Sequence, residues 1–132
     1  PFLESLEAIE QITSHFRGIG SKFLVEQRDW QSHADVVATT DIDQGYLCVE
    51  KDRSIRVLIR NGAATLTIKG PTTGISRQEF EYEVSMEEAR ALLELCGDLR
   101  VSKRRYDVRY AGRDWEIDVF SGRNAGLVVA EI

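Results

Sequence analysis

From Thr40 to the C-terminus, apolar and polar side chains alternate along one predicted strand after another, and this two-residue period restricts the fold more than any other feature. The predicted strands are 40–49, 53–60, 63–69, 75–84, 99–110, 113–120 and 126–132. In 53–60, Ile55, Val57 and Ile59 lie opposite Arg56, Leu58 and Arg60; in 63–69, Leu66 and Ile68 lie opposite Thr65, Thr67 and Lys69. In 75–84, Phe80, Tyr82 and Val84 lie opposite Arg77, Glu79, Glu81 and Glu83. In 99–110, Tyr106 and Val108 lie opposite Lys103, Arg105 and Asp107; in 113–120, Trp115, Ile117 and Val119 lie opposite Glu116 and Asp118. Glu131 again opposes apolar neighbours in the last strand. Each strand therefore has one greasy face and one face charged with both signs. Asn61-Gly62 and Ala111-Gly112 predict tight hairpins, because these residues tolerate the positive φ such turns need. Gly70-Pro71 and the Gly122–Gly126 loop separate further strands.

Helical signals are few. Leu3, Leu6, Ile9, Ile12 and Phe16 recur at helical spacing, with Glu4, Glu7 and Glu10 between them, and predict an amphipathic helix over 3–16 stopped by Gly18 and Gly20. A short strand over 21–27 and a helical or looped stretch near Trp30–Val37 follow. Ser85-Met86-Glu87-Glu88 is a capping box, with Glu88 reaching back to the Ser85 cap. It opens a helix whose apolar face is Met86, Ala89, Leu92, Leu93 and Cys96, ended by Gly97.

The 132 residues suit one domain, and 42% hydrophobic with 30% charged residues reads as globular. No apolar run approaches the roughly 20 residues of a membrane span, and the N-terminus lacks the pattern of a secretory signal. A net charge of −5 argues against a general binder of nucleic-acid duplexes but says nothing about a local basic pocket. Cys48 and Cys96 lack metal-ligand spacing and read as two reduced thiols of a cytoplasmic protein. His15 and His33 stand alone and are assigned no chemistry.

A charged sheet face can simply be solvated, and periodicity is compatible with that reading. Two details favour chemistry. Glu79-x-Glu81, Glu116-x-Asp118 and Lys103-x-Arg105 each place two like charges on one face. Paired carboxylates are what Mg²⁺ or Mn²⁺ requires. Arg56, Lys69, Lys103 and Arg105 spread cations over three strands, and polyphosphate oxygens need such cations. If the strands close into a barrel, ions fill an interior that side chains usually fill, and this is tolerable only with water, metal and an anionic ligand to complete the pairing.

Several stretches resemble, in order, the landmarks of the CYTH domain, or triphosphate tunnel metalloenzyme, family. They are Gln44-Gly45-Tyr46-Leu47, Ile55-Arg56-Val57, Leu66-Thr67-Ile68-Lys69-Gly70, Arg77-x-Glu79-Phe80-Glu81-Tyr82, Lys103-x-Arg105-Tyr106, Trp115–Phe120 and Gly126–Ile132. The resemblance covers roughly residues 22–132 and implies a mainly β fold, a closed eight-stranded antiparallel barrel, or tunnel, with flanking helices. With the helix read from apolar spacing, the chain is expected to divide into an N-terminal amphipathic helix at 1–17 and the tunnel domain at 18–132. The resemblance implies metal-dependent hydrolysis of a small-molecule triphosphate, inorganic triphosphate first; the oligomeric state, monomer or homodimer, stays open. Glu79, Glu81, Asp118 and Glu131 would serve Mg²⁺ or Mn²⁺ with Glu116 near them, and Lys22, Arg56, Lys69, Lys103 and Arg105 would clamp the phosphates and carry catalysis.

The chain departs from the family pattern in three places. The first strand of the family opens Glu-x-Glu-x-Lys, and here Gly18 and Gly20 precede Lys22. Leu58 stands where the family has a second arginine, and the chain stops at Glu131-Ile132 where the family continues, so the tunnel domain is expected to be incomplete at its C-terminal end, or its segments permuted. These departures support an alternative: a catalytically weakened domain that binds polyphosphate or nucleotide.

Overall fold

The computed structural model describes residues 3–4, 22–25 and 29–132. The strands are β1 (Leu3–Glu4), β2 (Lys22–Val25), β3 (Asp35–Val49), β4 (Ser54–Arg60), β5 (Ala63–Thr73), β6 (Ser76–Val84), β7 (Arg100–Tyr110), β8 (Arg113–Ser121) and β9 (Val128–Glu131). One α-helix, α1 (Met86–Glu94), lies between β6 and β7. Short 3-10 turns occupy Trp30–Ser32, Gly97–Leu99 and Gly122–Asn124.

The strands follow the order β1-β2-β9-β8-β7-β3-β4-β5-β6. The expected number is present: eight substantial strands, β2 to β9, with the two-residue β1 added at one end. The expected closure is not. The order ends at different strands, so among the described residues hydrogen bonds do not close the sheet into a barrel. Alternation fixes how strands pair with neighbours, but the first and last strands can meet only if shear and tilt agree around the whole sheet.

The chain forms two compact units. The first comprises residues 1–40 and 103–132, the second residues 41–102. In the second unit β3, β4, β5 and β6 pair as an antiparallel meander. Asn61 and Gly62, with φ of 47° and 84°, make the predicted β4–β5 turn. The alternation sends Val57, Ile59 and Ala64 to one face, where they pack with Ala89, Leu93 and Cys96 in and just beyond α1. Gly45 on β3 permits this approach: a Cβ there would lie 2.7 Å from Cys96 Sγ and 3.2 Å from the Leu99 carbonyl oxygen. The helix starts as the capping box predicts, with one change. Ser85 Oγ accepts the Glu88 N–H at 3.0 Å and its hydroxyl donates to Glu88 Oε1, also at 3.0 Å, so the glutamate returns to the cap side chain.

In the first unit β1, β2, β9 and β8 pair antiparallel in sequence of position. Val25, Trp30, Val108, Trp115, Ile117 and Ala130 form its core. Phe23 meets Trp115 and Trp30 meets Tyr106 edge to face, with ring centroids 6.0 and 5.2 Å apart. Ala111 and Gly112, at φ of 53° and 74°, make the second predicted hairpin turn.

Three boundaries differ from expectation. Leu3–Glu4 is strand, antiparallel to Val25 and Leu24 at the end of the strand order, where pairing satisfies backbone groups that a helix would satisfy internally; the remainder of the helix expected over 3–16 lies outside the described residues. The strand expected from Thr40 begins at Asp35, so the stretch near Trp30–Val37 divides into a 3-10 turn and the start of β3. β5 runs through Gly70-Pro71 to Thr73, with a register shift between Lys69 and Thr72 that accommodates a proline lacking an N–H. Cys48 and Cys96 are free thiols, as expected.

Candidate functional site

In the first unit, the face opposite the aromatic core carries the ionic side chains. Lys22 on β2 is in register with Glu131 on β9, and Glu131 with Glu116 on β8. Two residues along, Leu24 aligns with Val129 and Val129 with Asp118. The cations of β7 complete the group. Lys103 Nζ donates to Asp118 Oδ2 at 2.8 Å. Arg105 donates from Nε to Asp118 Oδ1 at 2.9 Å and from Nη2 to Oδ2 at 3.1 Å, a two-pronged contact, and its Nη1 lies 3.2 Å from Glu116 Oε2. Lys103 is 8% exposed and its ammonium stands 5.4 Å from the Phe120 ring centroid, a cation–π contact that sequence reasoning missed. Phe120 lies two residues from Asp118 on the same face, and that spacing was the available signal.

Burial and charge set the protonation of this group. Asp118 is pulled both ways: burial pushes its carboxyl up, but hydrogen bonds from Arg105 and the charges of Lys103 and Arg105 outweigh it and hold the carboxyl below its ordinary value. The Asp118 hydrogen bonds hold Arg105 firmly protonated. Burial pushes Lys22 down, an effect that Glu131 opposes and Lys103 reinforces. Burial also pushes Glu131 up; Lys22 opposes this and Glu116 adds to it. Glu131 Oε2 is buried with no hydrogen-bond partner among the described residues. An open cleft of about 400 Å³ adjoins Glu116 and Glu131 and is also lined by Asp107, Asp114 and Trp115.

In the second unit the polar face carries the remaining predicted residues. Ser54, Lys69 and Glu79 share one row across β4, β5 and β6, and Arg56, Thr67 and Glu81 share another. Tyr46 on β3 extends the second row beyond Arg56. Glu79 and Glu81 are exposed, Arg56 and Lys69 half-buried. Thr67, absent from the predicted set, is 1% exposed, and its Oγ1 and Arg56 Nε lack hydrogen-bond partners among the described residues. On the helix-facing side Asp43 takes two hydrogen bonds from Arg100, at 3.1 and 2.9 Å, and one from Ser102 at 3.0 Å. This network ties β3 to β7 and lies apart from the polar face.

The structure thus brings Lys22, Lys103, Arg105, Glu116, Asp118 and Glu131 together in the first unit, and puts Arg56, Lys69, Glu79 and Glu81 on one face of the second. Among the described residues no three acidic, histidine or cysteine side chains form a cluster able to hold a metal by themselves. Asp118 has both oxygens engaged by cations. Glu116 and Glu131 remain: a ladder pair with one orphaned buried oxygen. Two carboxylates fit Mg²⁺ or Mn²⁺ when substrate phosphates and water supply the other ligands, which is how Mg²⁺ is commonly held. His33 pairs with Asp29 at 3.3 Å on the surface. No helix among the described residues is long and apolar enough to cross a membrane.

Comparison with known proteins points one way. A family model described as CYTH domain matches residues 19–131. An inorganic triphosphatase of Acetivibrio thermocellus is 44% identical over 115 residues, spanning 86% of this chain and 72% of that protein. An inorganic triphosphatase of Nitrosomonas europaea is 32% identical over 118 residues, spanning 86% of this chain and 74% of that protein. A crystal structure of an inorganic triphosphatase superposes with a TM-score of 0.71 at 27% identity, over 86% of this chain and 73% of the other.

Proposed function

The chain belongs to the CYTH domain family, and on that premise we propose that it hydrolyses a small triphosphate, inorganic triphosphate first, against the cations of its charged strand faces. The observation that carries this reading is the ionic knot on β7 and β8, where the buried carboxylate of Asp118 binds both Lys103 and Arg105.

Triphosphate hydrolysis asks little covalent chemistry of a protein. Its transition state spreads charge over the phosphoryl oxygens, so positioning and electrostatic stabilisation do most of the work. Arg105 donates through a rigid fork, and Asp118 together with Glu116 sets the orientation of that fork before substrate arrives. Lys103 is held as a point charge by Asp118 beneath and Phe120 beside it. Lys22 is kept partly out of water, so an added anion favours its charged form. Lys69 and Arg56, on the polar face of the second unit, are the further cations assigned to phosphate, and Glu79 and Glu81 on the same face are the further acids assigned to metal. Glu116 and Glu131 would hold Mg²⁺ or Mn²⁺, which when bound supplies charge neutralisation and a more acidic water. The printed activity of two relatives supports inorganic triphosphate as substrate.

A second reading, binding without turnover, is favoured by Leu58, a half-buried aliphatic side chain on the same face as Arg56, and by Gly18 and Gly20 in place of acids. One assay separates the two. Phosphate release from triphosphate with Mg²⁺ or Mn²⁺ is expected from the native chain and expected to fall at least a hundredfold in Arg105→Ala. Saturable triphosphate binding without phosphate release would establish the second reading instead.

A further inference from the structure

Arg56 and Thr67 face each other across the β4–β5 ladder, and each has a buried polar atom without a hydrogen-bond partner among the described residues. Arg56 Nε and Thr67 Oγ1 do not bond to one another, and neither has a partner among the described residues. Thr67 is 1% exposed, so bulk water does not serve its hydroxyl. Glu81, its register partner on β6, is exposed and does not bond to it. Valine has the same shape and is at least as favourable in a strand, so the hydroxyl of a threonine here has no role in strand formation or packing.

The chemistry of the missing partner follows from the two atoms. A guanidinium only donates, and a hydroxyl rotates to donate or accept. A group with acceptor oxygens therefore satisfies both at once, and an oxyanion does so with charge assistance from Arg56. Lys69 lies two residues along β5 on the same face and adds a cation to the row. Resting on the triphosphate reading above, we propose that Thr67 is a substrate-binding residue whose hydroxyl donates to a phosphoryl oxygen held by Arg56. As a neutral donor it adds a contact without adding to the repulsion between Arg56 and Lys69.

The test compares Thr67→Val and Thr67→Ser in the full chain. Triphosphate affinity is measured by calorimetric titration in EDTA, so that metal is not involved, and thermal midpoints are measured without ligand. Thr67→Val is expected to bind about tenfold more weakly or worse, with a ligand-free midpoint unchanged or higher, because an orphaned hydroxyl is removed. Thr67→Ser is expected to stay within about threefold of the native chain, since it keeps the donor. Native affinity in Thr67→Val would overturn the inference alone and point to a bridging water as the hydroxyl's partner. Equal weakening in both variants with a fallen midpoint would overturn it in favour of a packing role. Absence of triphosphate binding by the native chain would overturn this inference and the triphosphate reading together.

Discussion

Asp118 and Glu131 lie on one charged face yet respond to the fold in opposite directions, and the difference is measurable. Asp118 is held below its ordinary 3.8, because Arg105 and Lys103 outweigh the cost of burial. Its charge stabilises the fold at all pH values above that ordinary range, and the contribution is lost only as pH falls through the lowered folded value. Glu131 is raised above its ordinary 4.5 by burial, with Glu116 adding to the effect. Its ionisation therefore opposes folding: the penalty is complete above the raised folded value, declines as pH falls through it, and is gone below the ordinary value. In chelator, the native chain is expected to gain stability from this residue on acidification from pH 7 toward its ordinary 4.5, a range above the ordinary 3.8 of Asp118, whose contribution holds there. Glu131→Gln removes the pH-dependent gain and is expected to be the more stable protein at pH 7. With Mg²⁺ the same variant is expected to lose at least tenfold in phosphate release, because a carboxylate assigned to the ion is gone. Urea midpoints across pH, paired with the release assay, check both halves; a Glu131→Gln chain less stable than native at pH 7 would contradict the assignment of the buried oxygen. Alternation made the facing of these residues legible, since it names which side chains share a face. It could not show that Asp118 would be consumed by cations, because a carboxylate two residues from another reads equally as metal ligand or as ion-pair partner. Thr67 escaped notice for a related reason: a threonine in a strand is unremarkable until its hydroxyl is seen buried and alone.

At the scale of elements, the second unit depends on how closely α1 and the turn after it approach β3. Gly45 allows that approach, since any Cβ at this position meets Cys96 Sγ and Cβ at 2.7 and 2.8 Å and a backbone carbonyl at 3.2 Å. The thiol could swing aside, but the Leu99 carbonyl belongs to a 3-10 turn held by the Leu99 N–H to Cys96 carbonyl hydrogen bond of 3.0 Å. Gly45→Ala is therefore expected to destabilise by about 1–3 kcal/mol, the range for overpacking. Equilibrium unfolding measures it, and Gly45→Ala combined with Cys96→Ala should recover only the part due to the thiol, since alanine keeps the Cβ that lies 2.8 Å from the new methyl; full recovery by the pair would show that the thiol alone causes the loss. The sequence announced α1 through its capping box and apolar stripe, and both hairpin turns through Asn-Gly and Ala-Gly, because these signals are local and have few competing explanations. The extension of β5 past Gly70-Pro71 was not announced. A proline ordinarily stops a strand, and only the bulge at Lys69–Thr72 reveals that here the ladder steps around it. Likewise the helical spacing at 3–16 gave no sign that Leu3–Glu4 would pair with β2, because periodicity is blind to which partner edges exist.

For the whole molecule the tension is between a net charge of −5 and faces that gather lysine and arginine. Long-range charge does not favour a polyanion, so any affinity for triphosphate must come from local cations already fixed in place, several of them paired with carboxylates. The β4–β5 and β7–β8 neighbours were legible because hairpin turns dictate them; the pairing of β2 with β9 was not, since no local signal joins strands so far apart in the chain, and closure was not, because it depends on shear summed over every strand and no residue encodes it alone. Faces can be tested without settling closure. If the charged faces bind triphosphate, ligand at 100 times its dissociation constant adds about 2.7 kcal/mol, a midpoint rise of roughly 10 °C for a chain of this size. That rise should shrink as salt is raised from low to physiological strength, since the contacts are ionic and only partly buried. Lys69→Ala should abolish much of the rise while leaving the ligand-free midpoint near native, because Lys69 sits on the polar face. Ile68→Asp, one residue away on the opposite face, should lower the ligand-free midpoint instead, since it puts a charge between its apolar register partners Ile55 and Phe80. Differential scanning fluorimetry of the three chains with and without triphosphate, at low and at physiological salt, reads these outcomes. Equal losses of ligand-free stability from Lys69→Ala and Ile68→Asp would mean that β5 does not present one face to ligand and the other to the core.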